Sequence, residues 1–140
     1  MSSPRTVAIA RVDPVGYDAS RVRQGVRDVA RALGWNGTGD APAFRALLPV
    51  GARVLVKPNL VLHQNQGPWG VEPLFTHASL IRAVVEELLD SGAAQVMLGD
   101  APLQECDFDQ LLAVSGLGEW AASLAAREPR FSGPHDYRRT

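Results

Sequence analysis

Residues 53–59 read RVLVKPN, residues 76–93 read THASLIRAVVEELLDSGA, and residues 95–102 read QVMLGDAP. Val54–Leu55–Val56 is an unbroken apolar run, the pattern of a parallel strand buried on both faces. Pro58 holds Lys57 extended and removes a donor just past it, so the strand stops there. Behind Thr76, a good N-cap, Leu80, Ile81, Val84, Val85, Leu88 and Leu89 recur at helical spacing. Arg82, Glu86 and Glu87 fall on the opposite face, where solvent is expected. Gly92 supplies the left-handed residue that ends the helix. Gln95 to Leu98 is then a second strand, and Gly99–Asp100–Ala101–Pro102 a turn.

Two parallel strands joined through a helix cross over right-handed in nearly all cases. The carboxyl ends of both strands and the N-terminus of the helix therefore share one rim, where open α/β sheets bind ligands. Lys57, Asn59, Thr76, His77 and Asp100 are expected to gather there. Lys57 beside a helix start suits a carboxylate or phosphate, which gains a charge-assisted bond from the ammonium and further bonds from free helix amides. Asn59 and the Thr76 hydroxyl complete a ligand-binding set. His77 and Asp100 are the candidate catalytic pair. A histidine in the first turn of a helix is disfavoured as the cation, leaving a neutral imidazole suited to accept a proton. Asp100 ends its strand where carboxylates act as bases or bind hydroxyls, or simply caps the turn.

Lys57 is also the one lysine among fourteen basic residues. An ammonium is a compact point charge that arginine does not reproduce, so its position and rarity favour a function over a bias in composition. His63, His77 and Asp100 fit no compact ligand spacing, and no metal site is expected. Cys106 stands alone, with no base beside it, and is expected to be a buried structural residue. No iron–sulfur cluster can be built from this chain alone.

Outward from this core, Thr6 to Val12 is expected to form a first strand, with Val7, Ile9 and Val12 apolar. A helix from about Asp18 or Ser20 to Leu33 follows, with Val22, Val26, Val29, Ala30 and Leu33 as its stripe and Arg21, Arg23, Arg27 and Arg31 mostly in solvent. Gly34 to Asp40 is glycine-rich but neither follows a strand nor opens an amphipathic helix, so it is a loop and not a nucleotide fingerprint. A short helix is expected from Pro42 to Leu48. The loop from Pro58 to Phe75 is far longer than usual, and serves either as a lid or as plain irregular chain. Asp107 or Asp109 caps a helix carrying Phe108, Leu111, Leu112 and Val114, and a second carries Trp120 and Leu124. The tail FSGPHDYRRT has room for a short edge strand.

The expected fold is α/β: a small, mostly parallel sheet of three to four strands with flanking helices, in a single domain over residues 1–140. A net charge of −1 gives no electrostatic case for nucleic acid or an acidic membrane surface. No apolar run reaches the ~20 residues of a membrane span, and the N-terminal stretch lacks a signal-peptide core. A cytoplasmic location is expected.

At VLVKPNLV, at TH-x-x-LIRAVVEELL-x-SGA and at V-x-LGDAP the chain resembles the domain of unknown function 362 (DUF362) family. LQECDFDQLL and the closing HDYRR are similar as well, in the same order and spacing from about Thr6 onward. The family's biochemical role is largely uncharacterised, and some members carry a separate ferredoxin-like segment whose cysteines have no counterpart here. Members typically continue into a second half. The resemblance therefore implies the N-terminal portion of such a protein, whether truncated reading frame, gene remnant or one piece of a split protein.

Three functional classes follow. The chain is an enzyme, or part of one, binding a small anionic metabolite; or a non-catalytic interaction domain whose open sheet edges recruit a second copy or a second half supplied in trans; or an inactive remnant.

Overall fold

The structure, a computed structural model, describes residues 6–13 and 16–138. Four helices and three strands follow one another as α1 (Ala19–Ala32), β1 (Arg53–Val56), α2 (Ala78–Asp90), β2 (Gln95–Asp100), α3 (Phe108–Val114), α4 (Leu117–Arg127) and β3 (Phe131–Asp136). The strands form one parallel sheet in the order β1-β2-β3, with Leu55 opposite Met97 and Val96 opposite Phe131. The tail thus supplies the expected edge strand, and Pro134 lies in it, where a missing ladder donor is tolerated. The register of β2 and β3 shifts between Met97 and Gly99. Gly99 is required there: a Cβ would lie 2.7 Å from the His135 carbonyl oxygen.

Two right-handed crossovers running in one direction lay α2, α3 and α4 on the same face of the sheet. Burial agrees. Val96, Leu98, Ile81, Val85, Leu88, Leu111, Leu117, Leu124 and Phe131 form one core, while Leu55, on the other face, is 52% exposed. The apolar run at β1 therefore does not mean burial on both faces. Its middle residue belongs to a side that no helix among the described residues covers.

The predicted strand at Thr6 to Val12 is not formed. Those residues are irregular, with Val7 83% and Ile9 92% exposed. Alternating apolar residues make a strand only when a neighbour completes the ladder, and here the segment runs to α1: a Cβ built on Gly25 would meet Val12 at 3.3 Å. The predicted helix at Pro42 to Leu48 is a series of turns.

Helix α1 begins within its expected bounds, with Asp18 as its N-cap accepting from the Arg21 amide at 3.0 Å. Its arginines are not all in solvent. Arg23 donates to Glu87 at 2.6 Å and to Glu86 at 3.0 Å, and pairs with Asp90 at 2.5 Å, while Arg27 donates to Glu87 at 2.8 Å. Glu87 itself is fully buried, not on a solvated face. Burial pushes its carboxyl up, but the Arg23 hydrogen bond, the Ala43 amide and the two guanidinium charges outweigh that and hold it below the usual range. The seam between α1 and α2 is thus closed by ions rather than by the apolar stripe alone.

Candidate functional site

Lys57 follows β1 directly, and its Nζ lies 3.0 Å from Asp100 Oδ1 at the end of β2. The two strands run parallel and in register, so both ends reach the same rim. Longer contacts from Nζ run to Asn59 Oδ1 at 3.3 Å and to the Pro58 carbonyl at 3.4 Å. The lysine side chain is 60% exposed and the aspartate side chain 6%.

Asp100 carries more than this pair. Its Oδ2 accepts from the Leu60 amide at 2.8 Å and its Oδ1 from the Ala101 amide at 2.8 Å. The carboxylate charge is therefore divided among two backbone amides and one ammonium. It holds the start of the long loop to the end of β2.

Asn59 and Thr76 meet across the two ends of that loop. The Asn59 amide donates to Thr76 Oγ1 at 3.1 Å, and the Thr76 amide donates to the Asn59 carbonyl at 2.8 Å. Leu60 and Phe75 form an antiparallel bridge one step further in, and both are buried. The loop is thus zipped at its root, while Trp69 stands out in solvent.

Thr76 is not the N-cap of α2. His77 takes that place, its Nδ1 accepting from the Ser79 amide at 3.2 Å and lying 2.9 Å from Ser79 Oγ. Its ring stacks on Tyr17, with centroids 3.8 Å apart and planes inclined by 11°. Burial, then the nearby Arg82 charge, lower its pKa, with Glu72 opposing. A neutral His77 capping through Nδ1 keeps its proton on Nε2, which makes the free nitrogen a hydrogen-bond donor.

Lys57, Asn59 and Thr76 line one cavity of about 300 Å³, with Leu80 and Val84 of α2 as its apolar wall. Asp100 joins them through the Lys57 ammonium. His77 adjoins them in sequence, but no hydrogen bond among the described residues links its ring to Lys57, Asn59, Thr76 or Asp100. His63 lies elsewhere, its Nδ1 accepting from the Asp107 amide at 2.9 Å. Among the described residues no group of three His, Cys, Asp or Glu side chains is placed to hold a metal ion. Cys106 is buried, and burial pushes its thiol up, away from a reactive thiolate.

Arg138 was not legible as part of this rim. Its guanidinium donates to the carbonyls of Leu103 at 2.6 Å and Cys106 at 3.0 Å, and it pairs with Asp136 at 2.6 Å. The turn after β2 is thereby tied to the end of β3. A family model described as "Domain of unknown function (DUF362)" matches residues 54–138, from β1 through this arginine. The chain belongs to the DUF362 family. No curated protein and no solved structure matches it. The DUF362 match takes in the sheet from Val54 onward, the long loop, the five residues expected at the rim and Arg138, and begins after α1. Among the described residues no helix is long and apolar enough to cross a membrane.

Proposed function

We propose that this DUF362 chain binds a small anionic metabolite at the carboxyl rim of its sheet, as an enzyme or as part of one. The observation that supports this is the Lys57–Asp100 pair at 3.0 Å, with the ammonium largely in water and opening on a niche shared with Asn59 and Thr76. A buried carboxylate already bonded to two amides leaves the ammonium incompletely neutralised, and the long contacts to Asn59 and Pro58 are the ones an anion replaces. Asn59 then offers its side-chain amide and Thr76 its hydroxyl. His77, expected to accept a proton, spends its lone-pair nitrogen on the Ser79 amide and offers a ligand only a hydrogen bond through Nε2, so proton movement falls to Asp100.

Thermal unfolding with added phosphate, small carboxylates and nucleotides tests the proposal. Stabilisation by one of these that disappears in Lys57→Ala is expected; no stabilisation by any of them defeats it.

A second reading, a non-catalytic interaction domain, draws on the uncovered sheet face at Leu55 and the unpaired outer edge of β1. Light scattering on the purified protein decides it. A homo-oligomer is expected on this reading, and a monomer at every concentration whose β1 amides are also protected from hydrogen exchange removes it.

A further inference from the structure

A second cavity lies against the rim niche. It has a volume of about 580 Å³, within the range of small-molecule pockets and far above the voids left in a packed core. Its walls include Val12 from the irregular N-terminal segment, Val26 and Val29 from α1, and Trp35 and Phe44 from the connection that follows. Among its described lining residues only Tyr17 and Trp35 carry a polar side-chain atom. Gly25 lets the N-terminal segment cross α1 closely, since a Cβ there would lie 3.3 Å from Val12.

The two cavities share a wall. Leu80 and Val84, one turn apart on α2, line both. Tyr17, which lines the apolar cavity, stacks at 3.8 Å on His77, the residue after Thr76 of the niche. A cation with exposed donors thus lies on one side of Leu80 and Val84, and a wall of valine and aromatic carbon on the other.

We infer that the ligand is an amphiphile: an anionic head held by Lys57 and Asn59, with an apolar chain lying along Leu80 and Val84 into the cavity between α1 and α2. This rests on the anion-binding reading of the niche and adds to it the class of molecule. A small hydrophilic anion uses the head site and leaves the apolar walls wet. An alkyl chain of the right length takes them out of water, and each buried methylene adds about fourfold to affinity.

Titration calorimetry on the full chain tests this with inorganic phosphate and the ethyl, butyl, hexyl and octyl phosphates, with the matching alkanoates and octanol alongside. In one of the two anion series affinity is expected to climb about fourfold per methylene until the cavity is filled. Ala10→Trp and Val26→Phe, which narrow the cavity from two different elements, are expected to flatten that climb and leave binding of the shortest member unchanged. Either variant suffices if the other does not fold. Lys57→Ala is expected to weaken every member by the same factor.

Binding of the head alone with no dependence on chain length overturns the amphiphile and leaves the anion site standing. Failure of both anion series, heads included, defeats the anion site itself. Octanol binding as tightly as octyl phosphate or nonanoate shows a cavity indifferent to charge and also overturns the inference. Sedimentation with phosphatidylcholine vesicles doped with phosphatidic acid separates a free amphiphile from membrane lipid. The protein is expected to stay in the supernatant, and pelleting counts against a free ligand.

Discussion

At the seam of α1 and α2, Arg23 and Arg27 close on Glu87, which is fully buried. At the sheet rim, Lys57 closes on Asp100 with 60% of its own side chain still exposed. Both are cations on buried carboxylates. In the first, Arg23 spends its donors on Glu87, Glu86 and Asp90, and Arg27 and the Ala43 amide join it on Glu87. In the second, the carboxylate is equally satisfied, by the Leu60 and Ala101 amides, but the cation is not. The difference lies in which partner keeps its water. The seam sets its charges against one another, whereas the rim anchors the carboxylate and leaves the ammonium exposed.

Breaking the seam is expected to have the largest effect on stability. Glu87→Ala removes the buried acceptor shared by Arg23, Arg27 and the Ala43 amide, although Arg23 keeps Glu86 and Asp90, and should cost about 3 kcal/mol in urea unfolding. The pH dependence follows the same group. Its folded pKa is depressed, so its contribution is complete above the ordinary glutamate pKa and is lost as pH falls through the folded value. Acid should therefore loosen α1 from α2, and Glu87→Ala should blunt that loss.

Next comes the rim, where the two partners are expected to behave unlike each other. Asp100→Ala leaves the Leu60 and Ala101 amides without an acceptor and should cost ~2–3 kcal/mol. Lys57→Ala removes an exposed partner and should change stability by less than about 1 kcal/mol. Equal losses from the two, measured by the same urea titration, would erase the distinction between anchor and offered charge.

The smallest effect is expected at His77. Its pKa is lowered by burial, so the unfolded chain takes up a proton more readily than the folded one. Stability therefore falls as pH is lowered through the ordinary value of 6.5 and levels off below the folded value. His77→Asn keeps a good N-cap and removes the titration. Stability at neutral pH should move by only ~0.5 kcal/mol, while the decline just below pH 6.5 disappears.

What the sequence made legible was the local alphabet around 53–102. Strand, helix and strand fall where the apolar runs, Pro58 and Gly92 put them, with the second strand running on through Gly99 and Asp100, and the parallel pairing of β1 with β2 brings Lys57 to Asp100. Each miss has a physical source. Thr76 and His77 are adjacent, and either can cap; the loop zipper claimed Thr76 for Asn59 and left the cap to the imidazole. Glu87 follows Glu86 in sequence but points about 100° round the helix from it, and the approach of α1 buries one and not the other. The segment at Thr6 to Val12 has a strand's alternation but no paired neighbour, which no local pattern records. Arg138 works through three-dimensional reach, from the end of β3 to the turn after β2, and its only sequence signal was the closing HDYRR.

The root of the long loop has a consequence for how this scaffold tolerates change. Leu60, Phe75, Asn59 and Thr76 clasp the two ends together, and Asp100 clamps one of them from below. Val61 and His63, just past the clasp, are still held by the Leu103 and Asp107 amides; beyond them the chain out to Trp69 hangs free of the sheet. Sequence can be inserted, trimmed or exchanged at that tip while the ammonium corner keeps its shape, so length and composition can drift in one segment without redesigning the floor beneath it.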